Sequence, residues 1–432
     1  MRNPTAFLFS ALLAGGALVH APQARAANIP VTNCNNTGAG SLRNAATIAI
    51  SGDTIDLRAL GCNPINVTSG QIVLPQSSIT LLGRDRLQNT IRGNSTARVL
   101  NHTGGGTLRL TRVSLSYGRF TSGGALGGCV SSQGNVELRQ SRVHHCDAVP
   151  QGGLEPSGMG GGVFAVGNVL LSESSVFANR LLGEGAGGGI GAFGSVTLDR
   201  SQVYDNMSAD AGGGLDGEDV SLSYSMVLRN TSTHDGGGVT AHGNVVVNKS
   251  TMAGNDAGWN CGALCAYGDG TRSIHDSTIS GNTATSDSGA SVSGDMDVRN
   301  STIAFNRETG SQCWGAVSAL NLRLESTIVS RNTCDGGPDV DVGGFDFPGW
   351  TLTGSHNLIG TSVLPVPPDT IGGDPLLAPL ANNGGPTRTH AIGAASPAIN
   401  GGNNTLGRAF DQRGAGFPRV VGGAPDIGAY ER

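Results

Sequence analysis

The sequence predicts an all-β fold, a right-handed single-stranded parallel β-helix of about ten coils with a cap at each end. Three observations carry this. First, a pattern Ser-x-(Val/Ile/Met)-x-x-Asn opens at Ser174, Ser201, Ser225, Ser250, Ser277 and Ser301, at intervals of 27, 24, 25, 27 and 24 residues. A period in this range marks a solenoid or another repeat array. Second, apolar residues alternate inside each unit (Val169 and Leu171, Val196 and Leu198, Val220 and Leu222, Met296 and Val298), which is strand periodicity. Third, the 70 glycines are in phase with the repeat, as in "GGGIGAFGSVTLDRSQVYDN" at 187–206 and "GGGVTAHGNVVVNKSTMAGN" at 236–255.

The elements follow in order. Residues 1–26 combine Arg2, an apolar run from Ala6 to Val19 and "ARA" at 24–26, the composition of a cleaved signal peptide. Residues 27–100 are assigned to an N-terminal cap and the first coils, 101–335 to the repeats, and 336–432 to the last coils and a C-terminal cap. Each unit supplies about three short strands: one after the glycines, one at the alternating valines and one leading into the asparagine. The asparagines Asn179, Asn206, Asn230, Asn255, Asn282, Asn306 and Asn332 then stack. Asparagine tolerates the left-handed conformation of a tight corner, and its amide can bond the same amide one coil away.

Composition excludes several classes. The formal net charge is −5 with no basic block, and Lys249 is the only lysine, so a general nucleic-acid binder is not expected. No segment after the leader approaches the roughly 20 apolar residues of a membrane span. Eight cysteines suit an oxidising compartment. Cys129 with Cys146, and Cys313 with Cys334, stand where each would staple one coil, and Cys34 with Cys62 would staple the N-terminal cap. Cys261 and Cys265 remain; in an extended strand they would lie about 13 Å apart, so their pairing needs a bend, assigned to Gly262.

The combination of "GG[GA][VIL]" and "[VIM]xxN" resembles the repeats of polymorphic outer-membrane proteins and, more broadly, the pectate-lyase-like β-helices. "GSLRNAATIAISGDTIDL" at 40–57 resembles the opening segment of many bacterial surface proteins, with Gly40 and Asn44 standing for that motif's Cys and Glu. "NNGGPTRTHAIGAASPAINGGNN" at 382–404 and "DQRGAGFPRVVGGAPDIGAYE" at 411–431 are similar to a choice-of-anchor Q domain. These resemblances imply a protein secreted from, or displayed on, a bacterial cell. Its work would be binding or adhesion through a long rigid side, with a glycan or another cell-surface ligand as partner and no cofactor.

The alternative is a polysaccharide lyase or glycoside hydrolase acting on a uronate-containing chain in a groove of the same side. A lyase needs carboxylates, alone or through calcium, and an Arg or Lys base. The acids for it would be Asp205, Asp210, Asp216, Glu218 and Asp219, although Asp is common in Gly-rich turns. Trp259 and Trp314, each before a Gly-Ala strand start and two coils apart, could form a sugar-stacking platform. Asp339 and Asp341 alternate with Val340 and Val342 as in an edge strand. The charged residues of the motif Asp411-Gln412-Arg413, with Arg419, Asp426 and Glu431, are assigned to ion pairs that tie a cap over the last coil.

Overall fold

The computed structural model describes residues 26–151, 158–344 and 349–432, so the leader assigned to residues 1–26 lies outside it except for Ala26. Strands stack in parallel, each on its equivalent one coil away. Val196–Asp199, for example, pairs in register with Val169–Ser172 on one side and Val220–Ser223 on the other. One face of the column is a sheet of 12 strands, so there are about twelve coils, not ten. Weakly patterned end coils such as Ile65–Val67 and Leu358–Ile359 make the difference.

Each middle coil has four strands. Ile190–Ala192 and Val196–Asp199 share a 21-stranded sheet, Gln202–Tyr204 joins the 12-stranded one, and Met207–Ser208 joins a nine-stranded one. This last two-residue strand, after the asparagine, is too short to leave a sequence period. Inward positions form apolar columns such as Val143, Val176, Val203, Val227, Met252, Ile279 and Ile303, all at 0% exposure. Each contributes about 1.5–3 kcal/mol by burial.

Two polar columns line the corners. Each asparagine from Asn179 to Asn306 donates its backbone N–H and its Nδ2 to Oδ1 of the next, at 2.8–3.1 Å. The left-handed residue is not the asparagine but the one before it, such as Asp205 (φ 54°), Arg229 (φ 51°) or Gly254 (φ 64°). The serines make a second ladder: the N–H of Ser174, Ser201, Ser225, Ser250 and Ser277 each donates to Oγ of the next serine at 3.0–3.1 Å. Gly188 is fixed by close approach, since a Cβ there would lie 2.4 Å from Gly213 O.

The asparagine ladder ends at Asp341. Its Oδ1 accepts from Asn332 N–H and Nδ2 at 3.0 and 2.8 Å, and its Oδ2 accepts from the Thr361 N–H and Oγ1 at 2.8 and 3.1 Å. Asp341 is 3% exposed, so it terminates the ladder and is not a half-buried edge residue. Both oxygens face donors, which only a carboxylate can serve. Asp341→Asn is therefore expected to cost about 2 kcal/mol in chemical denaturation, the penalty of one buried unsatisfied N–H; an unchanged midpoint would contradict the role.

At the N-terminal end, the helix Leu42–Ile48 covers the core with Leu42, Ala45 and Ala46, and Ser41 Oγ caps it by accepting from Asn44 N–H. The C-terminal segment does more than close the other end: it runs back along the 12-stranded face. Thr251 Oγ1 donates to Arg388 O, Thr278 Oγ1 to Gln412 Oε1, and the Ala429 N–H to Thr302 Oγ1. Lys249 Nζ donates to the carbonyls of Phe410 and Asp411, which gives the single lysine a structural task. Within the segment Asp411 pairs with Arg413, while Arg419 is fully buried and donates to the carbonyls of Asp426 and Gly428. Glu431 accepts from the Val421 and Asp426 amides.

Four disulfides join Cys34–Cys62, Cys129–Cys146, Cys261–Cys265 and Cys313–Cys334. The Cys261–Cys265 bend falls on Cys261 itself (φ 58°), not on Gly262. Four disulfides are compatible with an extracellular protein. No helix among the described residues is long and apolar enough to cross a membrane.

Candidate functional site

A groove follows one side of the column where the glycine corners turn into the first strand of each coil. Its floor is a row of stacked outward positions: Gly191, Asp216, Thr240, Cys265, Ser291 and Ser318. Two residues further along their strands stand Phe193, His242 and Tyr267, the first 62% exposed. The turns before the strands supply Asp210, Asp235 and Trp259. Two adjoining hollows of about 490 and 530 Å³ result, and they share Tyr267.

The second hollow gathers Trp259, Trp314 and Trp350, all three tryptophans of the chain. Trp259 is 59% exposed. Here the repeat departs from its glycine corner, because Cys261 and Asp287 occupy the left-handed position (φ 58° and 53°) that Gly187, Gly212 and Gly236 fill in earlier coils. A non-glycine residue in that region costs of order 1 kcal/mol, and such strain gathers at ligand sites. The Cys261–Cys265 bridge braces the turn that carries Trp259.

Polar groups in the groove are held in pairs. Asp216, 2% exposed, bonds His242 Nε2 through Oδ2 at 3.2 Å, and this bond raises the histidine above its ordinary value. The Tyr267 hydroxyl donates to Asp235 Oδ2 at 2.6 Å, and burial, reinforced by that carboxylate, raises its phenol. His234 Nδ1 lies 3.2 Å from Asp210 Oδ1. Asp287 Oδ1 accepts from Ser318 Oγ at 2.7 Å, yet burial pushes its carboxyl up to about 6.

Glu308, 2% exposed, accepts the backbone N–H of Trp314 through Oε2 at 2.7 Å. Its Oε1 lies near the Asp287 and Ser288 amides without a well-formed hydrogen bond. Burial pushes this carboxyl up to about 7 from 4.5. The folded chain thus holds the proton more tightly than the unfolded chain, so the stabilisation is full below the ordinary value and is lost as pH rises through about 7. Wild type and Glu308→Gln are expected to melt alike near about pH 4, with the variant more stable by on the order of 3 kcal/mol at about pH 8. Parallel melting curves at both values would contradict it.

Of the five acids singled out in the sequence, Asp210 and Asp216 reach the groove. Asp205 pairs with Arg229 at 2.8 Å at another corner, and Asp219 accepts from the Asn244 N–H and Nδ2 at 2.7 and 2.9 Å. Glu218 follows Asp216 by two residues, in the row of His242, but does not line either hollow. The five form no metal cage. Among the described residues the only group of three close potential ligands is Glu308, Cys313 and Cys334, and the two sulfurs are bonded to each other. Among the described residues that line the groove there is no arginine or lysine. Sequence reasoning placed Trp259 and Trp314 but missed Trp350, His242, Tyr267, Asp235 and Asp287. The broken glycine corner at Cys261 and Asp287 was the signal that could have found the site.

No family model matches the chain, and none of the curated proteins matches it. A solved structure, that of pectate lyase Pel9A, is similar over 94% of this chain and 97% of its own length, at 14% identity and a TM-score of 0.48.

Proposed function

We propose that this chain is an exported, non-catalytic β-helix that binds carbohydrate in the tryptophan groove and works as a binding or adhesion scaffold at a bacterial surface. One observation carries the reading: three tryptophans spread over 92 positions of sequence line a single hollow. Aromatic faces beside Asp, Ser and Tyr hydroxyl or carboxylate groups suit sugar rings, which offer C–H faces and hydroxyl edges. Export rests on the leader in residues 1–26. Surface display rests on the resemblance of 382–431 to a choice-of-anchor Q domain and of the repeats to polymorphic outer-membrane proteins.

Titration of the protein with soluble neutral and uronate polysaccharides, read by tryptophan fluorescence, is expected to give a saturable change with at least one of them. A flat response across the set would overturn the reading. Cleavage in the same groove is the second reading, favoured by Asp287, whose value of about 6 suits proton transfer near neutral pH. That the described lining residues include no lysine or arginine weighs against a lyase, with or without calcium. Appearance of unsaturated or reducing ends during the titration would replace the scaffold reading by this one.

A further inference from the structure

A second cleft, of about 450 Å³, lies on a different corner of the column, where the loop carrying Arg84 and Arg86 overhangs the turn that precedes the 12-stranded face. Four arginines line it, Arg84, Arg86, Arg112 and Arg200, against two acids, Asp85 and Glu173. This is a local excess of positive charge in a chain whose formal net charge is −5.

The arginines are not spent on these acids. Arg84 donates through Nε and Nη2 to Arg58 O at 2.9 and 2.6 Å, and Arg86 through Nη1 to Glu173 O at 3.1 Å, so both bond main-chain carbonyls. Arg200 pairs with Asp199, which is not a lining residue. Glu173 accepts from Gln140 Nε2 at 2.9 Å, and Asp85 from the Leu87 N–H at 2.6 Å.

The spacing is set by the fold. Arg112, Gln140, Glu173 and Arg200 occupy the same left-handed corner position in four successive coils, with φ of 53°, 51°, 50° and 45°. Arg112 and Arg200 are therefore roughly 14 Å apart at about 4.8 Å per coil. The cleft falls within the roughly 300–1,000 Å³ range of small-molecule sites, larger than one ion needs. Guanidinium forks reach into it from the loop and from the column, which suits a group with three terminal oxygens better than a planar carboxylate.

We propose that this cleft binds the sulfate or phosphate esters of an anionic polysaccharide, as a site separate from the tryptophan groove. Electrophoresis of the full chain through gels holding dextran sulfate, dextran phosphate, polygalacturonate or plain dextran tests it. Retardation is expected in at least one of the two ester polymers, weakening with added salt. The ester that retards more identifies the group. Plain dextran is expected to do nothing and polygalacturonate less than the esters.

Because Gln140 already fills the same corner, Arg112→Gln with Arg200→Gln fits the fold, and is expected to bind roughly tenfold more weakly with an unchanged melting point. Arg86→Gln, in the loop, serves as an independent variant if the double one does not fold. The proposal is overturned if neither ester polymer retards the wild type, or if the arginine variants are retarded equally. It is also overturned if polygalacturonate retards Trp259→Ala as much as the esters do, or if inorganic sulfate at the same anion concentration displaces the polymer. Trp259→Ala is expected to retain ester binding, which separates this site from the groove.

Discussion

Asn230→Ala is expected to destabilise the protein by about 4 kcal/mol. The side chain takes part in four hydrogen bonds inside a column at 0% exposure: Oδ1 accepts from the Asn206 N–H and Nδ2, and Nδ2 donates to Asn255 Oδ1 and Val203 O, all at 3.0 Å. Alanine leaves the Asn206 N–H buried without a partner, at about 1–3 kcal/mol, removes the bond that the Val203 carbonyl accepts from Nδ2, and opens a small cavity. Asn230→Asp is expected to do no better at neutral pH, because a carboxylate oxygen would then face two acceptors, Asn255 Oδ1 and Val203 O. Chemical denaturation monitored by circular dichroism measures both; a loss below about 1 kcal/mol for either variant would mean that the ladder relaxes around the gap.

The second large effect is on binding. Trp259→Ala is expected to weaken carbohydrate affinity by about 2 kcal/mol, or roughly thirtyfold, while the melting point moves little. The ring is 59% exposed, so its removal costs the fold little, and its backbone bonds to His234 O and Ser286 N–H stay in place. Trp314 supplies the comparison from another coil; Trp314→Ala is also expected to lose affinity, while its backbone N–H keeps the bond to buried Glu308. Calorimetric titration with whichever glycan binds the wild type decides the matter. Unchanged affinity in both variants would move the binding site elsewhere.

The column was legible because period and chemistry coincide. Each Ser-to-Asn phrase repeats every two dozen or so residues, and only stacking puts residues so spaced in contact. What the phrase hides is the division of labour within a corner. The left-handed turn belongs to the preceding residue, whose identity varies from Ala178 to Arg229 to Phe305, so no pattern betrays it. The serine ladder was visible in the alignment but not as a set of hydrogen bonds.

The acids show the opposite limit. Asp216 and Asp219 are three residues apart, yet the corner between them sends one into the groove and the other to Asn244. Trp350 lies beyond the last regular repeat, where no period could place it beside Trp259. In the sequence the C-terminal segment resembles an end cap only, because its contacts with the column span more than 100 positions. A local trace did exist. The outward residues of the 12-stranded face change from Arg142, His144, Gln202 and Tyr204 to Thr251, Ala253, Thr278 and Ser280, small groups that are buried beneath the returning chain.

The aligned asparagine amides also limit how such a molecule can change its length. From Asn206 to Asn332 every rung accepts two hydrogen bonds from the rung before and donates two to the rung after, so any complete rung can follow any other, until the Asp341 side chain ends the series by only accepting. Duplicating or deleting one whole turn, for example 207–230, preserves the hand-over at both junctions. A partial insertion within a corner breaks it at once. A column of this kind is built to grow or shrink by integers, with the aspartate kept at the terminus.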